Sequence, residues 1–528
     1  MRRLGAGLAG AALVVGVVTI IARAAGFGRW LVFSKTVGDT CLGDAYNTAN
    51  QLPNVVFEIV AGGALASVVV PVLARAFARD DKAEASRSFS ALLTWTLLAL
   101  TPVAVLAALA AGPYAQLMLG THPGCPDETV AVTARMLLVF VPQLWFYGLA
   151  VVASGTLQAQ NRFLAAALAP LASSLIVASA YVAFGVLAGG QLDVSQVPPA
   201  AVWTLAVGTT AGVVALALTV VVPLARSGLS FRPSLRFPEG VGRQARVLAT
   251  AGIAALVAQQ LVTLVITWLA NHRGDSGTLT LYTWAFAIFM LPYAVLAAPV
   301  ATTVFPKVSA QVEGFERTSA LAVRAVALLG LLGGALLAGT AVPMARVFVL
   351  GPGGGSTDTL ATALVAFAVA VPSYGLLILA GRLLYARGRG GLAAIGTVLG
   401  WVVVAGVAVP LTAAVGERGV AAALGGSMSA GLLVGALVLL SFVGVEAGRT
   451  ALDGLPRALG AGLLAAVVAA TAGQLIGQFF GGSGLLTACA GALASAMVVT
   501  TVFAGIVAVL DRSDARLALA RLRRRPEQ

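Results

Sequence analysis

Long apolar segments alternate with short polar ones along almost the whole chain. About 20 consecutive apolar residues form a helix long enough to cross a bilayer. Runs of this kind recur throughout the sequence, so the pattern predicts an all-α polytopic membrane protein with about fourteen transmembrane helices. We expect these spans at residues 8–33, 42–74, 88–111, 131–155, 163–187, 199–224, 246–270, 280–305, 319–343, 359–382, 391–414, 419–443, 457–478 and 485–510.

Composition supports this prediction and excludes several classes of protein. Of the 528 residues, 59% are hydrophobic and 10% are charged, whereas a soluble protein carries about 25% charge. The basic residues are dispersed among short loops without interleaved aromatic residues, so no nucleic-acid partner is expected. The 3 cysteines and 2 histidines lack metal-ligand spacing, and we expect no metal or cofactor. Too little polar sequence remains for a catalytic domain, which favours a transporter over an enzyme.

The distribution of positive charge predicts the orientation. If both termini are cytoplasmic, the outer loops contain only Lys35, Arg273, Arg346 and Arg418, and most other basic residues lie on the inner side. Short cytoplasmic loops carry this excess of Lys and Arg. We therefore expect a multi-pass protein of the cell membrane with both termini inside. Cys41 and Cys125 then share the outer side, which leaves a disulfide between them open.

A weak internal repeat predicts the domain organisation. Residues 51–75 and 289–309 both open with Leu-Pro and end near a second proline. The two segments are separated by six spans, which is an even number. The two copies of the repeat therefore have the same orientation and are related by an axis along the membrane normal. We expect two six-helix lobes with a cleft between them and two additional C-terminal helices. The predicted boundaries are 1–226 for the first lobe, 227–444 for the second with its basic inner loop 225–246, 445–510 for the last two spans and 511–528 for a basic cytoplasmic tail that contacts anionic lipid headgroups.

Five polar residues in the second span recur at intervals of three or four: Asp44, Asn47, Gln51, Asn54 and Glu58. This spacing places them on one face of a helix. A charged side chain at the bilayer centre costs about 2.5–3.5 kcal/mol, so this face either lines a water-filled cavity or forms a buried hydrogen-bonded seam. Proline and glycine loosen helices, and the span is predicted to be interrupted at Pro53, Gly62 and Gly63.

Two arginines in the first span, Arg23 and Arg29, are separated by Gly26 and Gly28. Residues six apart lie about 120° apart around an ideal helix, so both face one cavity only if the glycines distort it. A guanidinium suits bidentate contact with phosphate or carboxylate; alternatively, the arginines neutralise the acids of the second span. The predicted substrate-binding residues are Arg23, Arg29, Asp44, Asn47, Gln51, Asn54 and Glu58, and the predicted hinge residues are Gly26, Gly28, Pro53, Gly62, Gly63 and Pro292.

The segments around these residues resemble the MurJ (MviN) family, the lipid II flippases of the multidrug/oligosaccharidyl-lipid/polysaccharide exporter superfamily. The resemblance rests on Arg23, Gly26–Arg29, Asp44-Ala45, the Leu-Pro-Asn box at 52–54, Gly62–Ala64, Val70-Pro71 and the QAQNRF sequence at 158–163. The form FEIVAGG of the second span resembles the actinobacterial branch. The resemblance implies a flippase that moves the undecaprenyl-pyrophosphate-linked peptidoglycan precursor by alternating access, in contact with membrane lipids and with proteins of cell-wall synthesis and division.

The chain departs from the family pattern at two places. Many members carry two arginines where this chain has Phe57-Glu58, and an Asp-Arg pair where it has Phe286-Ala287. Two alternatives therefore stay open. One is an exporter of drugs or of another polysaccharide intermediate, with Asp44 or Glu58 as the titrating group, and the other is a non-transporting scaffold of cell-wall synthesis.

Overall fold

The computed structural model describes residues 2–60, 66–120, 124–237, 241–310, 314–351, 356–480 and 484–511, and within them all side chains except those of 2–13, 66–68, 241–253, 307 and 310. These ranges contain helices and no strand, which confirms the predicted all-α fold. The Gly62–Gly63 pair and the tail beyond Asp511 lie outside the described residues.

The helices divide into two units. The first unit, residues 1–272 with 351–353, contains α1 (Arg2–Thr36), α2 (Cys41–Glu58), α3 (Ala66–Ala78), α4 (Lys82–Leu109), α5 (Ala111–Leu119), α6 (Glu128–Phe140), α7 (Gln143–Ala159), α8 (Leu164–Ala188), α9 (Pro199–Ala225) and α10 (Val241–Arg273).

The second unit, residues 273–350 and 354–528, contains α11 (Thr278–Pro292), a π-helical segment (Tyr293–Ala297), α12 (Ala298–Ala310), α13 (Phe315–Gly339), α14 (Ala341–Val349), α15 (Thr357–Ala366), α16 (Ala370–Ala386), α17 (Gly390–Ala414), α18 (Val420–Glu446), α19 (Leu455–Phe479) and α20 (Leu485–Leu510). Short 3₁₀ turns at Glu417–Gly419 and Arg449–Leu452 join its last helices. The predicted lobes at 1–226 and 227–444 were drawn from an internal repeat, and they stay a prediction.

Among the described residues, thirteen helical stretches are long and apolar enough to cross a membrane. They correspond to thirteen of the expected spans. The remaining expected span, at 42–74, comprises α2 and α3. It is not among the thirteen because its first half carries the polar stripe and the helix does not stay regular. Ile59 and Val60, directly after α2, are π-helical.

Small residues allow the helices of each unit to approach closely, as is typical of packing within membranes. In the first unit, a Cβ added at Gly208 or Gly212 of α9 would collide with Ala180 or Val177 of α8. In the second unit, a Cβ at Gly330 of α13 would lie 2.6 Å from the Cα of Pro372 on α16. Each unit therefore contains helix pairs that pack closely only because glycine, which has no side chain, lies at the contact.

The last two helices pack on α13. Their shared apolar cluster contains Leu331 and Ala335 from α13, Ala465 and Ala469 from α19, and Val499 and Phe503 from α20. At the end of α20, the carboxylate of Asp511 is buried and forms a 2.9 Å ion pair with Arg457 at the start of α19. This contact joins the described end of the chain to the second unit.

Candidate functional site

The predicted polar stripe lies on α2, and its burial decreases along the helix. The hydroxyl of Thr40 caps the helix by accepting a 3.1 Å hydrogen bond from the backbone N–H of Gly43. Asp44 and Asn47 are buried, Gln51 and Asn54 are half-buried, and Glu58 is exposed. The five residues therefore form one helical face, as predicted, that runs from the interior of the first unit to its surface.

A buried aromatic cluster holds α1 and α2 in place. The hydroxyl of Tyr46 on α2 shares hydrogen bonds of 2.8 Å with the hydroxyl of Tyr181 on α8 and 3.0 Å with that of Thr209 on α9. Its ring centroid lies 5.3 Å from that of Phe33 on α1 and 5.8 Å from that of Phe140 on α6. Because every hydroxyl in this network has a partner, the cluster tolerates polar groups in an apolar interior.

Arg29 lies beside this cluster. Its guanidinium carbon is 5.4 Å from the ring centroid of Trp30, and its charge lies near the hydroxyls of Tyr46, Tyr147 and Tyr181. Its Nε is buried and has no hydrogen-bond partner among the described groups. A buried donor without a partner costs about 1–3 kcal/mol, so Arg29 is a side chain that a bound anion would stabilise.

Arg23 occupies a different environment. It is exposed, on the same face of α1 as the exposed Ile20 and within one turn of it. The helix continues without a break through Gly26 and Gly28. The two arginines therefore do not face one cavity in this conformation. In the part of the chain that the structure describes, neither arginine forms an ion pair with Asp44 or Glu58.

Tyr147 on α7 connects Arg29 with the surface end of the stripe. Its hydroxyl donates a 3.4 Å hydrogen bond to Oδ1 of Asn54, and its ring centroid lies 4.3 Å from that of Phe57. It lies near both Arg29 and Glu58. A cavity of about 250 Å³ adjoins Phe57 and is lined by Ser154, Gln158, Pro170 and apolar residues of α3, α7, α8 and α9.

Both Leu-Pro motifs of the internal repeat precede a π-helical distortion. Pro53 is buried inside α2, which continues to Glu58 before the π-helical residues 59–60. Pro292 ends α11 and is followed directly by the π-helical segment Tyr293–Ala297. Proline removes a backbone donor from a helix, and π-helical turns are frequent at functional sites. The interruption predicted at Pro53 is not observed, because α2 continues through it and the π-helical backbone begins only at Ile59, whereas Pro292 lies directly before irregular backbone.

The second unit contains an aromatic cluster where family members often carry charges. Phe286 on α11 lies 6.4 Å from Tyr282, 5.6 Å from Phe289 and 6.3 Å from Phe367, measured between ring centroids. The charged residues considered for the site therefore all belong to the first unit. Within the described ranges, no group of three His, Cys, Asp or Glu side chains could hold a metal ion.

Sequence reasoning missed Tyr46, Tyr147, Tyr181, Thr209 and Asn271. Asn271 on α10 donates hydrogen bonds of 2.9 Å to Oγ1 of Thr48 and 3.0 Å to the carbonyl of Met118. These residues are isolated polar positions in apolar spans and form no periodic pattern. The only available signal was the presence of tyrosine hydroxyls at membrane depth, which usually require a partner.

The structure offers a test of the predicted hinge at Gly28. A Cβ at this position would meet nothing within 4 Å, so Gly28→Ala fits this conformation. Alanine stabilises a helix interior by about 0.5–1 kcal/mol relative to glycine. We expect Gly28→Ala to raise the melting temperature slightly and to reduce transport, because the predicted hinge requires a distortion of α1 that a stiffer helix resists.

The matched control for this prediction is Gly406→Ala on α17, where a Cβ also meets nothing within 4 Å. It should stabilise the protein to a similar degree and leave transport unchanged. Equal transport by the Gly28→Ala variant and the wild type would exclude a hinge at this position.

Comparisons with known proteins agree with this architecture. Residues 33–508 match the family model described as lipid II flippase MurJ. A lipid II flippase MurJ from Burkholderia cenocepacia is 28% identical over 310 residues, which cover 57% of this chain and 56% of the relative. A probable lipid II flippase MurJ from Rhizobium tropici is 25% identical over 300 residues, which cover 56% and 54%. The chain thus spans about half the length of these curated relatives.

Solved structures show the same fold. A lipid II flippase MurJ in an inward closed conformation has a TM-score of 0.75 at 18% identity, covering 95% of this chain and 99% of that one. An inward-facing multidrug resistance MATE transporter has a TM-score of 0.66 at 17% identity, covering 84% and 99%. The match to the family model covers most of the membrane-spanning helices of both units. The chain therefore belongs to the MurJ lipid II flippase family.

Proposed function

We propose that this chain moves lipid II, the undecaprenyl-pyrophosphate-linked peptidoglycan precursor, from the inner to the outer leaflet by alternating access. Membership of a transporter family over residues 33–508 supports this proposal. The structural observation that carries it is Arg29, whose buried Nε lacks a partner next to the polar stripe of α2. The pyrophosphate of such a lipid is anionic, so it needs a cationic partner while it crosses the membrane. Arg29 provides this positive charge.

The chemistry of the site suits a headgroup that carries both phosphates and polar substituents. Arginine is well adapted to phosphate because its planar guanidinium can donate two parallel hydrogen bonds. Asn47, Gln51 and Asn54 offer amides to hydroxyl and amide groups of the sugar and peptide. Asp44 and Glu58 provide acceptors at opposite ends of the same face. We assign Arg23 to the same site in a conformation in which α1 is distorted at its glycines.

We also propose that the protein resides in the cytoplasmic membrane with both termini inside. A disulfide joins Cys41, at the start of α2, to Cys125, before α6. Disulfides form in oxidising compartments outside the cytoplasm, so this bond supports an outer location for both cysteines. The distribution of Lys and Arg supports the same orientation.

Cysteine labelling tests this orientation. After mild reduction of intact cells or spheroplasts, a membrane-impermeant maleimide should label Cys41 and Cys125 in a Cys489→Ser background, in which no other cysteine remains. A cysteine introduced at the exposed Ala83, next to the predicted first inner loop, in a background without the three native cysteines controls for leakage of the reagent. Labelling of Cys41 and Cys125 only after the cells are permeabilised would show that the orientation is reversed.

The transport function is tested by rescue of a strain depleted of its own lipid II flippase. We expect this chain to restore growth and the amount of lipid II exposed on the outer leaflet. A chain that inserts at normal abundance but restores neither would contradict the proposal. A pH-dependent drug-resistance phenotype would then favour an exporter of another substrate with the same fold. Rescue of growth without lipid II exposure would favour a non-transporting scaffold of cell-wall synthesis.

A further inference from the structure

A second cavity of the first unit lies away from the proposed substrate site. Its volume is about 360 Å³, and it is formed by α6, the loop between α8 and α9, and the first turns of α9. It lies at the end of the unit where α6 begins, three residues after the disulfide-bonded Cys125. None of the proposed substrate-binding residues lines it, so another role is required for its charged residues.

Two charged side chains lie on the same side of α6 and line this cavity. Glu128 is at the first position of the helix, and Arg135 follows seven residues later. Seven residues make almost two turns and place Arg135 about 10 Å deeper along the helix axis. Both side chains are exposed. Within the described residues, the side chain of Arg135 donates a single hydrogen bond, from its Nε to the carbonyl of Ala131 on its own helix, at 3.3 Å.

Apart from Ser195 and Gln196, the rest of the lining is apolar. Val132, Met136 and Val139 of α6 and Val202, Trp203 and Ala206 of α9 form the deeper walls. Trp203 is 54% exposed, and exposed tryptophans favour the interface between headgroups and acyl chains. The cavity thus combines an acid at its mouth and an arginine deeper inside with apolar walls.

A short ordered loop closes the mouth. The carboxylate of Asp193 accepts hydrogen bonds from the backbone N–H and the hydroxyl of Ser195, at 3.0 and 2.8 Å. These bonds hold the pKa of Asp193 below its usual range. They also orient Ser195 and Gln196, which line the cavity next to Glu128. The loop therefore presents polar groups at the level of the headgroups.

We propose that this cavity binds one ethanolamine phospholipid of the adjacent leaflet, with its phosphate on Arg135, its ammonium on Glu128 and an acyl chain along the apolar wall of α6 and α9. The order of the groups along the membrane normal supports this assignment. In such a lipid the ammonium lies nearer to water than the phosphate, and the acyl chains lie deepest. Along α6 the cavity presents an acid first and an arginine almost two turns deeper, with apolar side chains between and below them. The two charges are complementary to a zwitterion and not to a simple anion.

Lipid binding to the purified full-length protein tests the proposal. Native mass spectrometry and thermal melting would be measured with added dioleoyl phosphatidylethanolamine, phosphatidylglycerol or phosphatidylcholine. We expect the wild type to retain phosphatidylethanolamine preferentially. A hydrogen bond to a charged group is worth roughly tenfold in affinity or more. Arg135→Gln should therefore weaken the binding of phosphatidylethanolamine and phosphatidylglycerol about tenfold, and Arg135→Lys should retain most of it.

Glu128→Gln separates the two halves of the site. It should weaken phosphatidylethanolamine binding and leave phosphatidylglycerol binding unchanged, because only the former carries an ammonium. The matched controls are Glu417→Gln and Arg418→Gln in the second unit, which remove an exposed acid and an exposed arginine outside any described cavity. Equal lipid retention by the Glu128 and Arg135 variants and their controls would overturn the proposal, as would a wild type that does not discriminate among the three lipids.

Discussion

Replacement of Arg29 by glutamine is expected to abolish rescue of a flippase-depleted strain, although the protein should insert in normal amounts. Glutamine keeps hydrogen-bonding capacity but lacks the positive charge that a pyrophosphate requires. The structure also predicts that the loss is not caused by unfolding. Arg29 forms no ion pair with any described carboxylate, and its buried Nε lacks a hydrogen-bond partner. Removal of this Nε leaves no hydrogen-bond acceptor without its donor, although the contact of the guanidinium with Trp30 is lost.

The test compares growth, outer-leaflet lipid II and melting temperature across a series of arginine variants. Arg29→Lys should be intermediate, because lysine retains the charge but not the bidentate geometry. Arg23→Gln should cause a smaller loss than Arg29→Gln, since Arg23 is exposed in this conformation. Arg418→Gln, at another exposed arginine, should behave like the wild type. Full lipid II exposure by Arg29→Gln would refute the assignment of the phosphate to this side chain.

Loss of the Cys41–Cys125 disulfide is expected to produce the largest change in stability. The bond joins residues 84 positions apart, with α2 to α5 between them. Closing a loop of this length stabilises a chain by at most about 4–5 kcal/mol, and helices that stay inserted after unfolding reduce this value. We therefore expect a melting temperature several degrees lower in Cys41→Ser/Cys125→Ser, and a similar decrease when the wild type is reduced.

Cys489→Ser is the matched control, since Cys489 is a free, exposed cysteine. This variant should melt as the wild type does, in the presence or absence of reductant. The disulfide also joins the start of α2, which carries the polar stripe, to the segment before α6. Its loss should therefore reduce lipid II exposure as well as stability. A double serine variant with an unchanged melting temperature would show that the bond does not contribute to the native state.

The two units use the repeated Leu-Pro motif differently. In both, the motif is followed by π-helical backbone, close to Pro53 in the first unit and directly after Pro292 in the second. The first unit surrounds it with charged and amide side chains, and the second with aromatic rings such as Tyr293 and Tyr374, whose centroids lie 4.6 Å apart. Both Leu-Pro motifs are therefore followed by irregular backbone, at different distances from the proline, and the side chains next to it differ between the two units.

Sequence alone determined the membrane class, the positions of the spans and the face of α2 that carries the polar stripe. These properties depend on local periodicity and on the cost of polar groups in hydrocarbon, which act on each segment separately. The same reasoning identified Arg23 and Arg29 as exceptional, because charges within an apolar span are conspicuous wherever the helix packs.

Only the tertiary structure decided how these residues are used. It separated Arg23 from Arg29, because α1 stays helical through Gly26 and Gly28. It formed the disulfide that sequence left open, and it brought Tyr46, Tyr181 and Thr209 together from three helices. It also aligned Glu128 and Arg135 with a cavity to which α9 contributes. Such contacts join residues far apart in sequence and depend on helix packing, which local periodicity does not encode.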